Sequence, residues 1–184
     1  MKHFKLYKPY NYLSQFVRND TIRKNKKLLG ELYDFPEGTM AIGRLDEKSE
    51  GLLLLTTDGK VSAEVRSSKF EKEYYIQVDG IITEEAIKKL QMGVEITVDK
   101  ERYLTKPCKA FILNSNPKLP ARKVRDIRHG EMSWASVTIT EGKNRQVRKM
   151  AAAVGFPVLR LVRVRIGNIF LDEMEFGEVL EIKI

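Results

Sequence analysis

Cysteine is almost absent. Cys108 is the single example in 184 residues, so no disulfide can form within the chain. Histidine is nearly as scarce. His3 and His129 are too few and too far apart in sequence to suggest a metal site or a Ser-His-Asp arrangement. No apolar run approaches the roughly 20 residues that span a bilayer. The opening residues, MKHFKLYKPY, are basic and aromatic and lack the apolar stretch of a secretory signal. There is no internal repeat and no low-complexity tract. These absences argue against a disulfide-stapled, metal-bound or membrane-spanning protein. We expect a cytoplasmic protein with no membrane contact.

What is present is a soluble composition with a basic bias. Hydrophobic residues make up 42% and charged residues 32%, enough of each for one compact domain with a real core, or two small lobes sharing one. The formal net charge is +8, which favours a polyanionic partner. The distribution says more than the total. Between Lys143 and Arg165 stand seven basic residues, Lys143, Arg145, Arg148, Lys149, Arg160, Arg163 and Arg165, and no acid. A second cluster, KLPARKVRDIRHG, holds Lys118, Arg122, Lys123, Arg125 and Arg128 against Asp126 alone. Acids concentrate elsewhere, at Glu47 to Glu50, Glu84-Glu85 and the C-terminal tail. Segregation of this kind predicts one positive face.

The pattern along the chain is mostly strand. HFKLYKPYNYLSQF reads as a strand entering a turn at Pro9, and RKNKKLLGELYDFPEG as a short helix or irregular segment. TMAIGRL is a short strand, and GLLLLTT has the length and apolarity of a strand buried on both faces. Asp58 then caps a short helix over GKVSAEVRSS, or forms an Asp-Gly hairpin turn; the helix is the better reading. EKEYYIQVDG alternates, with Tyr74, Ile76 and Val78 on one side and Tyr75, Gln77 and Asp79 on the other. ITEEAIKKLQMG is a helix capped by Thr83 and ended by Gly93. VEITV reads as a strand. YLTKPCKAFIL reads as another, with Cys108 a small buried residue. NSNPKLPARKVRDIRHG is a long loop, and SWASVTIT a further strand turned by Glu141-Gly142.

NRQVRKMAAAVG is the second clear helix. Val147, Met150, Ala151 and Val154 form its apolar stripe, and Arg145, Arg148 and Lys149 lie on another face. VLRLVRVRIGNIFL returns to period two, with Arg163 and Arg165 on one side and Val162, Val164 and Ile166 on the other. The sum is an α+β protein with a mixed or antiparallel sheet and helices packed against it.

Three stretches could carry chemistry. In GRLDEKSEGLLLL, Asp46 is either a turn residue or a poised carboxylate at the mouth of an apolar strand. Desolvation there would disfavour its charge, and Arg44 two residues away would favour it. An ionised carboxylate so placed can serve as nucleophile or base. Glu47 and Glu50 read as solvated loop charges. In KEYYIQV, Tyr74 is either a cross-strand aromatic or a stacking platform for a nucleobase, with Lys72 near enough for its phosphate. In EGKNRQVRKM, a solvated basic face explains Arg145 and Lys149. It explains less well the cations crowded at a helix start, where they oppose the helix dipole and where a bound carboxylate or phosphate would relieve the conflict.

Together these stretches resemble the pseudouridine synthases of the RsuA type, which modify ribosomal RNA. GRLDEKSEGLLLLTTDG is similar to the family's catalytic-aspartate motif, KEYYIQVDG to its tyrosine motif and EGKNRQVRKM to its arginine-bearing motif. KLYKPYNYL resembles the opening strand, and VGFPVLRLVRVRIGNIFL the C-terminal region. The order matches, and the likeness covers nearly the whole chain. SEG after the aspartate and the YKPYNYLSQF opening favour a subtype acting on large-subunit rRNA. Thr57 stands where many members have Asn.

The resemblance implies the pseudouridine synthase fold: a long, mostly antiparallel mixed sheet with flanking helices and a central active-site cleft. It implies a single catalytic domain over residues 1–184, in two sublobes sharing one sheet. About 40 residues precede the GRLD motif, so we expect no S4 RNA-binding domain. It implies no cofactor and no metal. Asp46 would be the catalytic aspartate, Tyr74 the ring against the target base and Arg148 the arginine paired with the aspartate. Val147 would lie under the base, and Arg44 would fill the space left by the flipped nucleotide. Lys72, Arg145 and Lys149 join these as expected RNA-binding residues. The expected partner is ribosomal RNA of the large subunit, free or in an assembly intermediate, met by a monomer. A non-catalytic RNA-binding or ribosome-assembly module on the same scaffold is the alternative.

Overall fold

The structure is a computed structural model, and it describes residues 1–18, 25–67 and 69–184. Arg23 and Lys24, at the start of one predicted segment, and Ser68, at the end of a predicted helix, lie outside the described residues. The chain divides into two units, Met1–Phe70 with Val162–Ile184, and Glu71–Leu161.

The first unit is organised around its most apolar strand. Strands β1 (His3–Lys8), β2 (Met40–Ile42) and β3 (Glu50–Thr56) precede helix α1 (Gly59–Arg66). Every residue of β3 is buried, as the unbroken GLLLL run predicts. β1 pairs antiparallel with β3, setting Tyr7 opposite Leu52 and Lys8 opposite Gly51. β2 pairs with the far end of β3, also antiparallel. Phe4 and Leu6 of β1 join Leu53, Leu55 and Leu29 in one core cluster, with Phe16, Leu32 and Phe35 packed against it. Asp58 caps α1 by accepting from the Lys60 amide at 2.8 Å, so the helix reading prevails over the hairpin.

The second unit carries strands β4 (Lys72–Asp79), β5 (Glu95–Val98), β6 (Glu101–Leu104), β7 (Lys109–Leu113) and β8 (Met132–Ile139), with helices α2 (Glu84–Met92) and α3 (Gln146–Ala153). β8 pairs antiparallel with β4 on one side and β7 on the other. β5 and β6 form a separate antiparallel hairpin. Ile76 and Val78 of β4, Ala135 and Val137 of β8, Ile87 and Leu90 of α2, and Val147 and Met150 of α3 belong to one core cluster. The apolar stripe predicted for α3 therefore faces inward. Thr83 caps α2 through the Ala86 amide, and Gly93 ends it at φ 95°.

Strand β9 (Val158–Ile166) runs through both units. In the first, it is followed by β10 (Ile169–Phe170), which folds back on it, and by β11 (Val179–Ile182), which pairs with β1. Its Val162 and Arg163 lie parallel to Glu50 and Gly51 of β3. β3 and β9 run parallel, and the other pairings named here are antiparallel. The α+β class holds.

Several details differ from the sequence reading. YLTKPCKAFIL is not one strand. Pro107 cannot donate to a ladder, and the segment splits into the end of β6, a four-residue break and β7. Cys108 falls in that break, half-buried, with its thiol donating to the Leu90 carbonyl at 3.2 Å. Among its described residues, RKNKKLLGELYDFPEG forms a 3-10 turn, Leu29–Glu31, in place of a longer helix. β6 and β11 had no clear signal in the sequence.

Candidate active site

The turn that carries Asp46 links β2 to β3 in the first unit. Gly43 leaves β2 with a positive φ of 71°, Arg44 is exposed, and Leu45 inserts into the core at 6% exposure. Ser14 holds Leu45 from both sides of its backbone. The Leu45 amide donates to the Ser14 hydroxyl at 3.0 Å, and that hydroxyl donates to the Leu45 carbonyl at 2.8 Å. The turn closes where the Ser49 amide donates to the Asp46 carbonyl at 2.9 Å. Asp46 itself is half-buried between Leu45 and the buried Ser49 and Glu50.

The next residue is fixed as firmly. The Glu47 carbonyl accepts from the Asn11 amide at 2.8 Å and from the Lys8 ammonium at 3.4 Å. Lys26 meets the Glu47 carboxylate at 2.5 Å. Lys48 donates to Asn11 at 2.6 Å and lies over the Tyr10 ring, 4.8 Å from its centre. Glu50 is fully buried at the start of β3 and accepts from the Tyr7 hydroxyl at 3.2 Å. The reading of Glu47 and Glu50 as solvated loop charges is therefore corrected. A carboxylate beginning a strand buried on both faces has to find donors inside the protein, and Tyr7 is one.

Lys8 was not anticipated at all. It is 0% exposed, and its ammonium also donates to the carbonyls of Tyr12 at 2.7 Å and Pro9 at 3.0 Å. Burial pushes its pKa down to about 7, and Arg163 pushes the same way, against the opposing pull of Glu50, Asp46 and Glu47.

In the second unit, Tyr74 lies on β4 opposite Val137, half-buried and packed against the core cluster on the face of Ile76 and Val78. Lys72 opens the same strand and donates to the Thr140 carbonyl at 3.4 Å. Tyr75 faces the other way, opposite Ser136. Burial, then Glu73, raises its phenol above the ordinary value.

The arginine-bearing turn is braced by Glu141, a residue the sequence marked only as part of a turn. Its carboxylate accepts from Gln146 at 2.7 Å, from the Lys106 amide at 3.1 Å and from the Tyr103 hydroxyl. Burial opposes the charge of Glu141, but these bonds outweigh it and hold the carboxyl below its usual range. The same bond raises the Tyr103 phenol. Arg145 enters α3 in a left-handed conformation, φ 52°, with no side-chain cap. From there Arg145 is exposed, Arg148 and Lys149 are half-buried, and Val147 is 5% exposed within the core.

The expected site residues thus fall into two sets. Arg44 and Asp46 share one turn of the first unit. Lys72 and Tyr74 share β4 of the second, and Arg145, Val147, Arg148 and Lys149 share the start of α3. The positive face is smaller than expected. Arg160 and Arg163 are 4% and 5% exposed, committed to the Pro120 carbonyl at 2.9 Å and the Leu52 carbonyl at 2.8 Å. Arg125 is held by Asp79 at 2.7 Å. Lys118, Lys123, Arg128, Lys143 and Arg145 remain exposed in the second unit.

Comparison with known proteins gives a uniform result. A family model described as RNA pseudouridylate synthase matches residues 2–153. The chain is 40% identical to ribosomal large subunit pseudouridine synthase E of Vibrio parahaemolyticus, over 96% of this chain and 72% of that protein. It is also 40% identical to the protein of the same name from Xanthomonas axonopodis pv. citri, over 92% of this chain and 87% of that one. A crystal structure of a pseudouridylate synthase superposes with a TM-score of 0.78 at 29% identity, covering 99% of this chain and 70% of that one.

Proposed function

Because the chain belongs to the RNA pseudouridylate synthase family, we propose that it converts a specific uridine of large-subunit ribosomal RNA to pseudouridine, with Asp46 as its catalytic residue. Relatives 40% identical over nearly the whole chain carry that substrate in their names. The observation that carries the site is the Asp46 turn. Its carboxylate stands at the mouth of a fully buried strand, on a backbone fastened by Ser14, Asn11 and Lys8. A group that must meet a reacting sugar within a fraction of an ångström needs such anchorage.

The reaction is an isomerisation in which nothing is lost. The N1–C1′ bond breaks, the uracil turns, and C5 bonds to C1′; the proton on C5 leaves and N1 gains one. These atoms are inaccessible in folded RNA, so the nucleotide has to be extruded first. In this reading Asp46 attacks C1′ or removes a sugar proton, and Tyr74 packs on the base. Arg148 pairs with the Asp46 carboxylate, Val147 lies beneath the base, and Arg44 occupies the gap left in the RNA. Lys72, Arg145 and Lys149 contact phosphates, so binding weakens as salt rises. No helix among the described residues is long and apolar enough to cross a membrane. The proposed setting is the cytoplasm, and the proposed working form is a monomer.

Mapping pseudouridines in total rRNA from cells with and without the gene tests the assignment. We expect one large-subunit position to revert to uridine. Loss at a small-subunit position, or no loss in either rRNA, overturns it.

A further inference from the structure

The basic loop between β7 and β8 takes no part in the chemistry assigned to Asp46, Tyr74 and Arg148, yet its backbone is fastened at several points. Near its start, Arg160 donates to the Pro120 carbonyl at 2.9 Å. Near its end, Arg125 donates to the Asp79 carboxylate at 2.7 Å and to the Glu131 carbonyl at 3.0 Å. Between these anchors lies a 3-10 turn, Ile127–His129, capped by Asp126, whose carboxylate accepts from the Arg128 amide at 2.9 Å. The Arg128 guanidinium clasps the same carboxylate at 3.1 and 3.0 Å. A turn held this way presents a fixed side chain, and the one it presents is apolar. Ile127 is 84% exposed; among the described residues, Met1 at the terminus is the one large apolar side chain more exposed. Lys123 and Arg128 stand near it in the sequence, both exposed.

We propose that Ile127 is an RNA-contact residue: its side chain packs on the face of an unstacked base in the rRNA while Lys123 and Arg128 meet the phosphates. The inference rests on the reading of this chain as acting on rRNA. A phosphate offers isoleucine nothing, whereas the face of a base offers it apolar area removed from water. A surface for another protein would be a contiguous apolar patch, but Ile127 stands between the charged Asp126 and Arg128. RNA that extrudes a nucleotide exposes the faces of the bases beside it, and apolar side chains are the groups that wedge against such faces. Because the turn is already ordered, little of the burial gain is lost to fixing the loop.

The test measures binding to a large-subunit rRNA transcript as salt is raised, with wild type, Ile127→Ser, Ile127→Leu and Lys123→Ala. Both positions are exposed, so all four proteins should unfold at the same temperature. We expect Ile127→Ser to bind roughly tenfold more weakly and Ile127→Leu, which keeps the apolar area, to bind like wild type. The loss in Ile127→Ser should be the same at every salt concentration, because an apolar contact releases no counterions. Lys123→Ala should instead lower the salt slope by about one. Wild-type affinity in Ile127→Ser overturns the proposal, and so does an equal loss in Ile127→Leu. A loss seen with protein-containing ribosomal particles but not with the bare transcript also overturns it, since it assigns the side chain to a protein. If wild type binds the transcript but forms no pseudouridine, the proposed reaction falls while the affinities still decide on Ile127. No binding by wild type overturns both.

Discussion

Ser14 and Leu45 exchange two hydrogen bonds, the Leu45 amide donating to the serine hydroxyl at 3.0 Å and the hydroxyl donating to the Leu45 carbonyl at 2.8 Å. Both residues are buried, so water cannot replace either bond. Leu45 adjoins Asp46, and the pair determines where the turn leaves the core.

Ser14→Ala deletes both bonds and leaves two buried backbone groups unpaired. We expect a loss of about 2 kcal/mol of stability by denaturant unfolding. The single-turnover rate should fall more than RNA affinity, because the change is felt at the turn. Equal losses in rate and affinity would place Ser14 in RNA binding instead.

Gly51 sits where β3 runs beside β9, with φ 101°. A Cβ there would lie 2.4 Å from the Arg163 carbonyl oxygen and 2.8 Å from its amide nitrogen. Both are backbone, so neither can turn aside. Gly51→Ala should destabilise by roughly 3 kcal/mol in thermal or denaturant unfolding. A change below about 0.5 kcal/mol would contradict this close approach of the two strands.

Cys108 is half-buried, and burial, aided by Glu141, pushes its thiol up to about 11. The thiolate is the reactive form. At pH 8 its population should be about a hundredfold below that of an ordinary cysteine. Iodoacetamide should therefore modify the native protein slowly and the denatured protein at the normal rate. Rapid native labelling would refute that environment.

The sequence spoke clearly where order is local. The GLLLL run announced a strand buried on both faces. Asp58 and Thr83 announced caps that hydrogen-bond within three residues of themselves. The three motifs announced the family. What stayed hidden is long-range. Glu50 meets Tyr7 across 43 positions, and Arg163 meets Leu52 across 111. Nothing near Glu50, Arg160 or Arg163 distinguishes a buried charge from a solvated one, because the partner that makes burial tolerable lies elsewhere in the chain. Lys8 was silent for the same reason. Glu141 was half legible: Gly142 beside it marked the turn, but not the bonds that brace α3.

The most direct test of the account replaces one oxygen of the Asp46 carboxylate by an amide nitrogen. Purified wild type and Asp46→Asn are incubated with a large-subunit rRNA transcript, and both binding and pseudouridine are measured. The account predicts equal thermal stability, RNA affinity within about twofold, and no pseudouridine from the variant. Substantial pseudouridine formation by Asp46→Asn would contradict it.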